Sequence, residues 1–180
     1  MSRSLTFRRF LANTAGVAAI EFAFIAPVLI TMYFGVAELT QAMMAARRVS
    51  HTGATIGDLV TQGQTINVAA MNDVFTVGQT FMAPYPTTGL QMRITHITTD
   101  ASNNAKVDWS QGSGMGALAK NSPIVLPAGV ITASQSVVKS EVSYTYTSAI
   151  NYVIHTPITF TNTYYLRPRL SNTVVCTDCP

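Results

Sequence analysis

Charge is scarce in this chain. Of its 180 residues, 11 are Lys or Arg and 8 are Asp or Glu, so 11% are charged where about 25% is usual. The formal net charge of +3 is too small to argue for nucleic acid, and no such partner is expected. Cysteine is nearly absent: Cys176 and Cys179 stand in one C-x-x-C at the end of the sequence. A redox-active pair normally sits where a helix N-terminus lowers a thiol pKa, whereas here a single residue follows. A zinc site would need two further ligands, and none lies nearby. The pair is a candidate structural disulfide in an oxidising compartment, with a free or metal-bound pair as the alternative.

Catalytic signatures are missing as well. His51, His96 and His155 are far apart and fall in three different elements, so nothing in their spacing predicts convergence with carboxylates. Asp58, Asp73, Asp100 and Asp108 read as helix, cap and turn residues. The glycine-rich stretch 111–116 lacks the Lys-Ser/Thr of a phosphate-binding loop and reads as a flexible connection. Ser113 within it lacks the strand–turn–helix setting of a nucleophile elbow. The expectation is a protein that is not an enzyme, with no cofactor, metal or small-molecule substrate.

One long apolar run dominates what is present. Residues 17–37, VAAIEFAFIAPVLITMYFGVA, carry a single charge, Glu21. At about 1.5 Å per residue a helix of that length spans roughly 30 Å, the thickness of a bilayer's hydrocarbon core. Pro27 removes one backbone hydrogen bond, which membrane helices tolerate. Arg3, Arg8 and Arg9 precede the run and place the N-terminus in the cytoplasm; Arg47 and Arg48 beyond it weaken that signal. A cleaved secretory signal would have a shorter apolar core and an A-x-A site, which residues 12–46 lack. A carboxylate inside such a helix is costly and marks a partner or a function, unless it lies shallow enough to reach the headgroups.

Arg8-Arg9-Phe10, then Gly16-Val17-Ala18-Ala19-Ile20-Glu21-Phe22-Ala23, then Pro27, resembles the TadE-like proteins, the minor-pilin-like proteins or pseudopilins of tight-adherence (Tad/Flp) pilus systems. The resemblance implies a prepilin-type processing site: a basic leader, a glycine, four residues, a glutamate and an aromatic. Cleavage then falls between Gly16 and Val17, and Glu21 becomes the fifth residue of the mature chain. The new ammonium at Val17 is one helical turn from Glu21. Within one subunit or between neighbours, that pair could offset the cost of burying either charge. Glu21 and Phe22 are thus implied assembly contacts. The implied partners are the inner membrane, other Tad pilus subunits and assembly proteins, and a prepilin peptidase. Leu166-Arg167-Pro168-Arg169 is a softer match to the end of TadE-type outer domains. The alternative is an uncleaved single-pass membrane protein whose outer domain binds a ligand or adhesion target.

Beyond the apolar run the helical pattern continues over 38–62 through Leu39, Ala42, Met43, Ala46, Val49, Ile56, Leu59 and Val60. Gly53 and Gly57 predict a bend or a fraying end, and Gly63 a C-cap. Asn67 is a candidate N-cap for a second helix on Val68, Met71, Val74, Phe75, Gly78 and Phe81, stopped by Pro84 and Pro86. From Leu90 the period changes to two, and residues 90–111 read as a β-hairpin about a polar turn at 100–105. Pro123 and Pro127 bracket a short edge-like piece, Ile124-Val125-Leu126. Longer strands follow at about 136–148 and 156–167, and Val174-Val175 suits a last short one.

The expected organisation is a leader (1–16), a transmembrane helix (17–37), its continuation (38–62) and an extracytoplasmic α+β domain (67–180). The fold class is α+β and pilin-like: a long N-terminal helix, a small helix and an antiparallel sheet, one face under helices and the Thr- and Ser-rich face towards water. Trp109, Tyr144, Tyr146, Tyr152, Tyr164 and Tyr165 are candidates for cross-strand aromatic packing or for a docking surface.

Overall fold

A computed structural model of the protein describes residues 15–179. Helix α1 runs unbroken from Ala15 to Thr61, with Pro27 inside it. Among the described residues it is the one helix long and apolar enough to cross a membrane. A second helix, α2, covers Val68–Phe81, and a four-stranded antiparallel sheet follows, so the α+β class holds. The chain divides into two compact units. One holds α1 through Gln41 together with Ser148–Thr156; the other holds Ala42–Thr147 and the chain from Pro157 on.

The larger unit is built around strands β2 (Leu90–Thr99), β3 (Ala105–Ser113), β4 (Ser136–Tyr146) and β5 (Ile158–Leu166), in the order β3-β2-β4-β5. Two-residue strands β1 (Thr65–Ile66) and β6 (Val175–Cys176) pair in parallel. The Asn67 side chain accepts from the Ala70 N–H and caps α2, as its sequence position suggests. α2 then buries Met71, Phe75 and Gly78. With Val49, Ile56 and Val60 of α1, and Met92, Ile94, Val138 and Val142 of the sheet, they make the buried apolar core.

Gly53 and Gly57 do not end α1; they let it lie close to the sheet. A Cβ at Gly57 would stand 2.6 Å from Leu166 Cδ1 and 3.0 Å from Ser140 Cβ, and one at Gly53 would stand 3.0 Å from the Tyr164 ring. The Ser140 hydroxyl donates to the Gly53 carbonyl at 2.7 Å. Contact with β4 and β5 offsets the propensity deficit of glycine, about 1 kcal/mol per residue against alanine.

Four details depart from expectation. Gly63 follows α1 without entering the left-handed region; its N–H bonds to the Val60 carbonyl in a tight last turn. Residues 111–113 belong to β3 rather than to a loop, and Gly112 is required there because a Cβ would meet the Met115 carbonyl oxygen at 1.9 Å. Ile124–Leu126 form no strand; Ile124 N–H bonds to Ala105 O, and Lys106 bridges Pro123 beside it. The second sheet face is not simply polar. Ile97, Ile131 and Val137 form a small core there, covered by Ile124, Leu126 and Val130, beside the Arg93–Glu141–Lys139 ion-pair group. The polar signature of Thr95 and Ser110 misleads because their hydroxyls pair with each other at 2.9 Å and are buried.

Candidate functional site

The residues of the expected processing site begin α1. Gly16 has open space where a Cβ would stand, and Val17 is exposed in the first turn. Glu21 lies one turn on and is exposed, as is Phe22 at 70%. The basic residues Arg3, Arg8 and Arg9 lie outside the described residues. From Val17 to Val36 the large apolar side chains of α1 other than Phe34 point outward, Phe24 at 75% exposure, so this stretch carries an apolar coat around a single carboxylate.

The most completely hydrogen-bonded carboxylate is one that sequence reasoning passed over. Glu38, the residue after the apolar run, is fully buried. Its Oε1 accepts from the Ser148 hydroxyl at 2.9 Å and the Tyr152 N–H at 2.7 Å; its Oε2 accepts from the N–H groups of Val153 at 2.9 Å and Ile154 at 2.6 Å. Asn151 stands in the left-handed region at φ 53°, where asparagine is tolerated, and its N–H donates to Ser148 Oγ. That turn aims three successive amides at one point, an arrangement that holds an anion without a cation. Two more contacts bind the same loop to α1: Tyr152 Oη to Thr31 Oγ1 at 3.3 Å, and the Tyr152 ring to Phe34 at 5.4 Å between centroids. The available signal was an acid directly behind a long apolar segment. Its partners, more than a hundred residues away, carry no mark.

In the other unit His96 organises the C-terminal segment. It is buried and stacked on Trp109 with centroids 5.6 Å apart. The Val174 N–H reaches His96 Nε2 at 3.4 Å, which makes that nitrogen an acceptor, with Thr173 Oγ1 also 3.2 Å from it. Nδ1 then carries the proton and donates to Asp108 Oδ2 at 3.1 Å. Burial lowers the His96 pKa below its usual value, and Asp108 only partly opposes this. Trp109 Nε1–H donates to the Val174 carbonyl at 2.7 Å. Just beyond, Cys176 and Cys179 are joined in a disulfide. Asp178 between them accepts the Val68 N–H at 2.7 Å, placing a carboxylate at the N-terminus of α2. Cys176, Asp178 and Cys179 are the one gathering of three metal-ligand-type side chains among the described residues, and there both sulfurs are bonded to each other.

Tyr144 and Tyr146 are buried on one face of β4, and Tyr146 packs against Tyr85 and Phe160, so the cross-strand reading holds for them. The Tyr164 hydroxyl pairs with Ser50 of α1. His51 is exposed and meets the Phe81 ring edge-on. The three histidines do not form a common site.

Comparison with known proteins gives one family match: residues 16–55 fit the model of the TadE-like protein family. No curated protein matches the chain, and no solved structure does. The matched stretch includes Gly16 and Val17 of the expected processing site, Glu21, Glu38 and the α1 turns up to Thr55, and leaves the sheet outside it.

Proposed function

Because α1 is TadE-like over residues 16–55, we propose that the protein is a minor pilin or pseudopilin that takes part in assembling a tight-adherence, Flp-type pilus. Residues 17–37 cross the bacterial inner membrane once, with Arg3, Arg8 and Arg9 on the cytoplasmic side and the rest of the chain in the periplasm. The protein works by contact rather than catalysis. Its partners are the bilayer, other Tad pilus subunits and assembly proteins, and a prepilin peptidase that cuts between Gly16 and Val17.

The observation that carries this reading is Glu21, a carboxylate exposed on a helix whose neighbouring apolar side chains are also exposed. A carboxylate at the centre of a membrane helix costs about 2.5–3.5 kcal/mol on insertion scales and less towards the headgroups, and a cation beside Glu21, one turn into the span, offsets that cost. Cleavage after Gly16 creates one at Val17, a turn away in the same subunit or at a neighbour's helix end. The test is the intact mass of the protein from cells with an active prepilin peptidase. The expected species begins at Val17, and one beginning at Met1 contradicts processing. Glu21→Ala should insert into the membrane yet lose co-purification with pilus subunits; wild-type piliation in that variant would remove Glu21 from the assembly.

A further inference from the structure

The loop Ser148–Thr156, between β4 and β5, does more than connect strands. It is strapped to the last turns of the apolar segment by Glu38 and by Tyr152. The Thr31 hydroxyl donates to the Pro27 carbonyl at 2.8 Å, so in its contact with Tyr152 the tyrosine is the donor. Thr31 stands six residues before Ala37, about 9 Å back along the helix at 1.5 Å per residue. Val153 Cγ2 lies 3.6 Å from where a Cβ on Gly35, also inside the apolar segment, would stand. The loop therefore overlaps the part of α1 that the proposed function puts in lipid.

Its outward surface suits that level. Ile150, Tyr152 and Val153 are exposed, Tyr152 and Val153 at 46% each, and Asn151, His155 and Thr156 are the exposed polar residues beside them. The loop contains no Lys, Arg, Asp or Glu. Irregular backbone is excluded from hydrocarbon unless its amides are satisfied. Here the amides of Tyr152, Val153 and Ile154 are closed onto Glu38. Tyrosine with a polar tip and an apolar body belongs at the headgroup boundary.

We propose that Ser148–Thr156 is a second membrane contact, a collar that seats Ile150, Tyr152 and Val153 in the interfacial layer of the lipid bilayer around the end of the anchor helix. It rests on the reading that residues 17–37 span the membrane, and adds a partner, the lipid surface, for a segment of chain outside that span. Glu38 is the positioning residue of the collar: its carboxylate satisfies the amides that would otherwise face lipid.

The test uses the full chain reconstituted at low protein-to-lipid ratio in vesicles of phosphatidylethanolamine and phosphatidylglycerol. An environment-sensitive fluorophore is placed on Val153→Cys, on Ile150→Cys and, separately, on Phe24→Cys; Cys176 and Cys179 are held in their disulfide. Lipids spin-labelled near the headgroup or near the chain end serve as depth quenchers, and iodide reports water. Expected is a blue-shifted signal at 150 and 153, quenched by the shallow lipid label more than the deep one, with Phe24 quenched most by the deep label. Signals at 150 and 153 open to iodide and untouched by either lipid label overturn the collar while Phe24 still reports a span. Protection from both lipid and iodide overturns it in favour of a protein neighbour. An unquenched Phe24 defeats the spanning reading itself.

Discussion

The two halves of α1 use a similar apolar vocabulary in opposite ways. From Val17 to Val36 the large side chains, Val, Ile, Phe, Leu and Met, are exposed apart from the half-buried Phe34, whereas from Ala42 to Val60 the buried positions are held by Ala42, Ala45, Val49, Ile56 and Val60. The first half meets the Ser148–Thr156 loop at Thr31, Phe34 and Gly35 and is otherwise largely exposed. The second has small residues and two glycines where β4 and β5 press close. Charge distinguishes them: the first half carries one carboxylate, Glu21, and the second carries Arg47, Arg48 and Asp58. So does fit to a neighbour: exposed bulk suits a fluid solvent that adapts to any shape, and Gly53 and Gly57 suit a fixed neighbour that does not.

That contrast can be broken most forcefully at Gly57. Gly57→Val should destabilise the larger unit by about 2 kcal/mol or more through overpacking against Leu166 and Ser140. In thermal unfolding this is a Tm loss of roughly 5–10 °C. A Tm within 1 °C of wild type, on the order of experimental scatter, would mean that this half of the helix is not held to the sheet.

Much of this division was legible. The apolar run, the Asn67 cap and the switch from a period near 3.6 to one of two located α1, α2 and all four strands of the main sheet, because each is a local pattern. The rest depended on pairing at long range. Gly53 and Gly57 read as weak points because the Tyr164 ring and Leu166, more than a hundred residues on, are what they accommodate. His96 read as one of three scattered histidines because its partners Asp108 and Thr173 are brought together by register and by the returning C-terminal segment. The two-residue strand β1 has no periodicity to detect, whereas β6 lies one residue from the short strand expected at Val174-Val175. Glu38 was assigned to the helix correctly, and the loop that makes it a distinct site is irregular backbone with no sequence pattern.

A pH experiment sharpens the comparison, since it acts within the larger unit through His96. Its folded-state pKa is lowered, chiefly by burial. The unfolded chain therefore binds a proton near pH 6.5 that the folded one does not, and stability is full above that pH and falls as pH drops towards the folded value. The loss has a ceiling of about 1.4 kcal/mol per pH unit for one proton. Comparing Tm at pH 7.5 and 5.5 should show this decline, and His96→Gln, although less stable overall, should flatten it. Glu141 and Asp100, whose pKa values are also lowered, would act only at more acid pH. An equal slope in His96→Gln would assign the effect to another group.

The smallest effect is expected at Gly35, which tests the half of α1 that the proposed function puts in lipid. A Cβ there would find Val153 Cγ2 at 3.6 Å, an ordinary van der Waals contact, where Gly57 would find Leu166 at 2.6 Å. Gly35→Ala removes a flexible residue from a helix interior and adds contact to the loop, so it should be neutral or stabilising by up to about 1 kcal/mol. Hydrogen exchange at the amides of Tyr152, Val153 and Ile154 reads this directly: exchange should be unchanged or slower in the variant, because the Glu38 bonds that protect them are untouched. Faster exchange would show that the loop approaches α1 more closely than ordinary contact, and the two halves would then differ in neighbour rather than in tolerance for bulk.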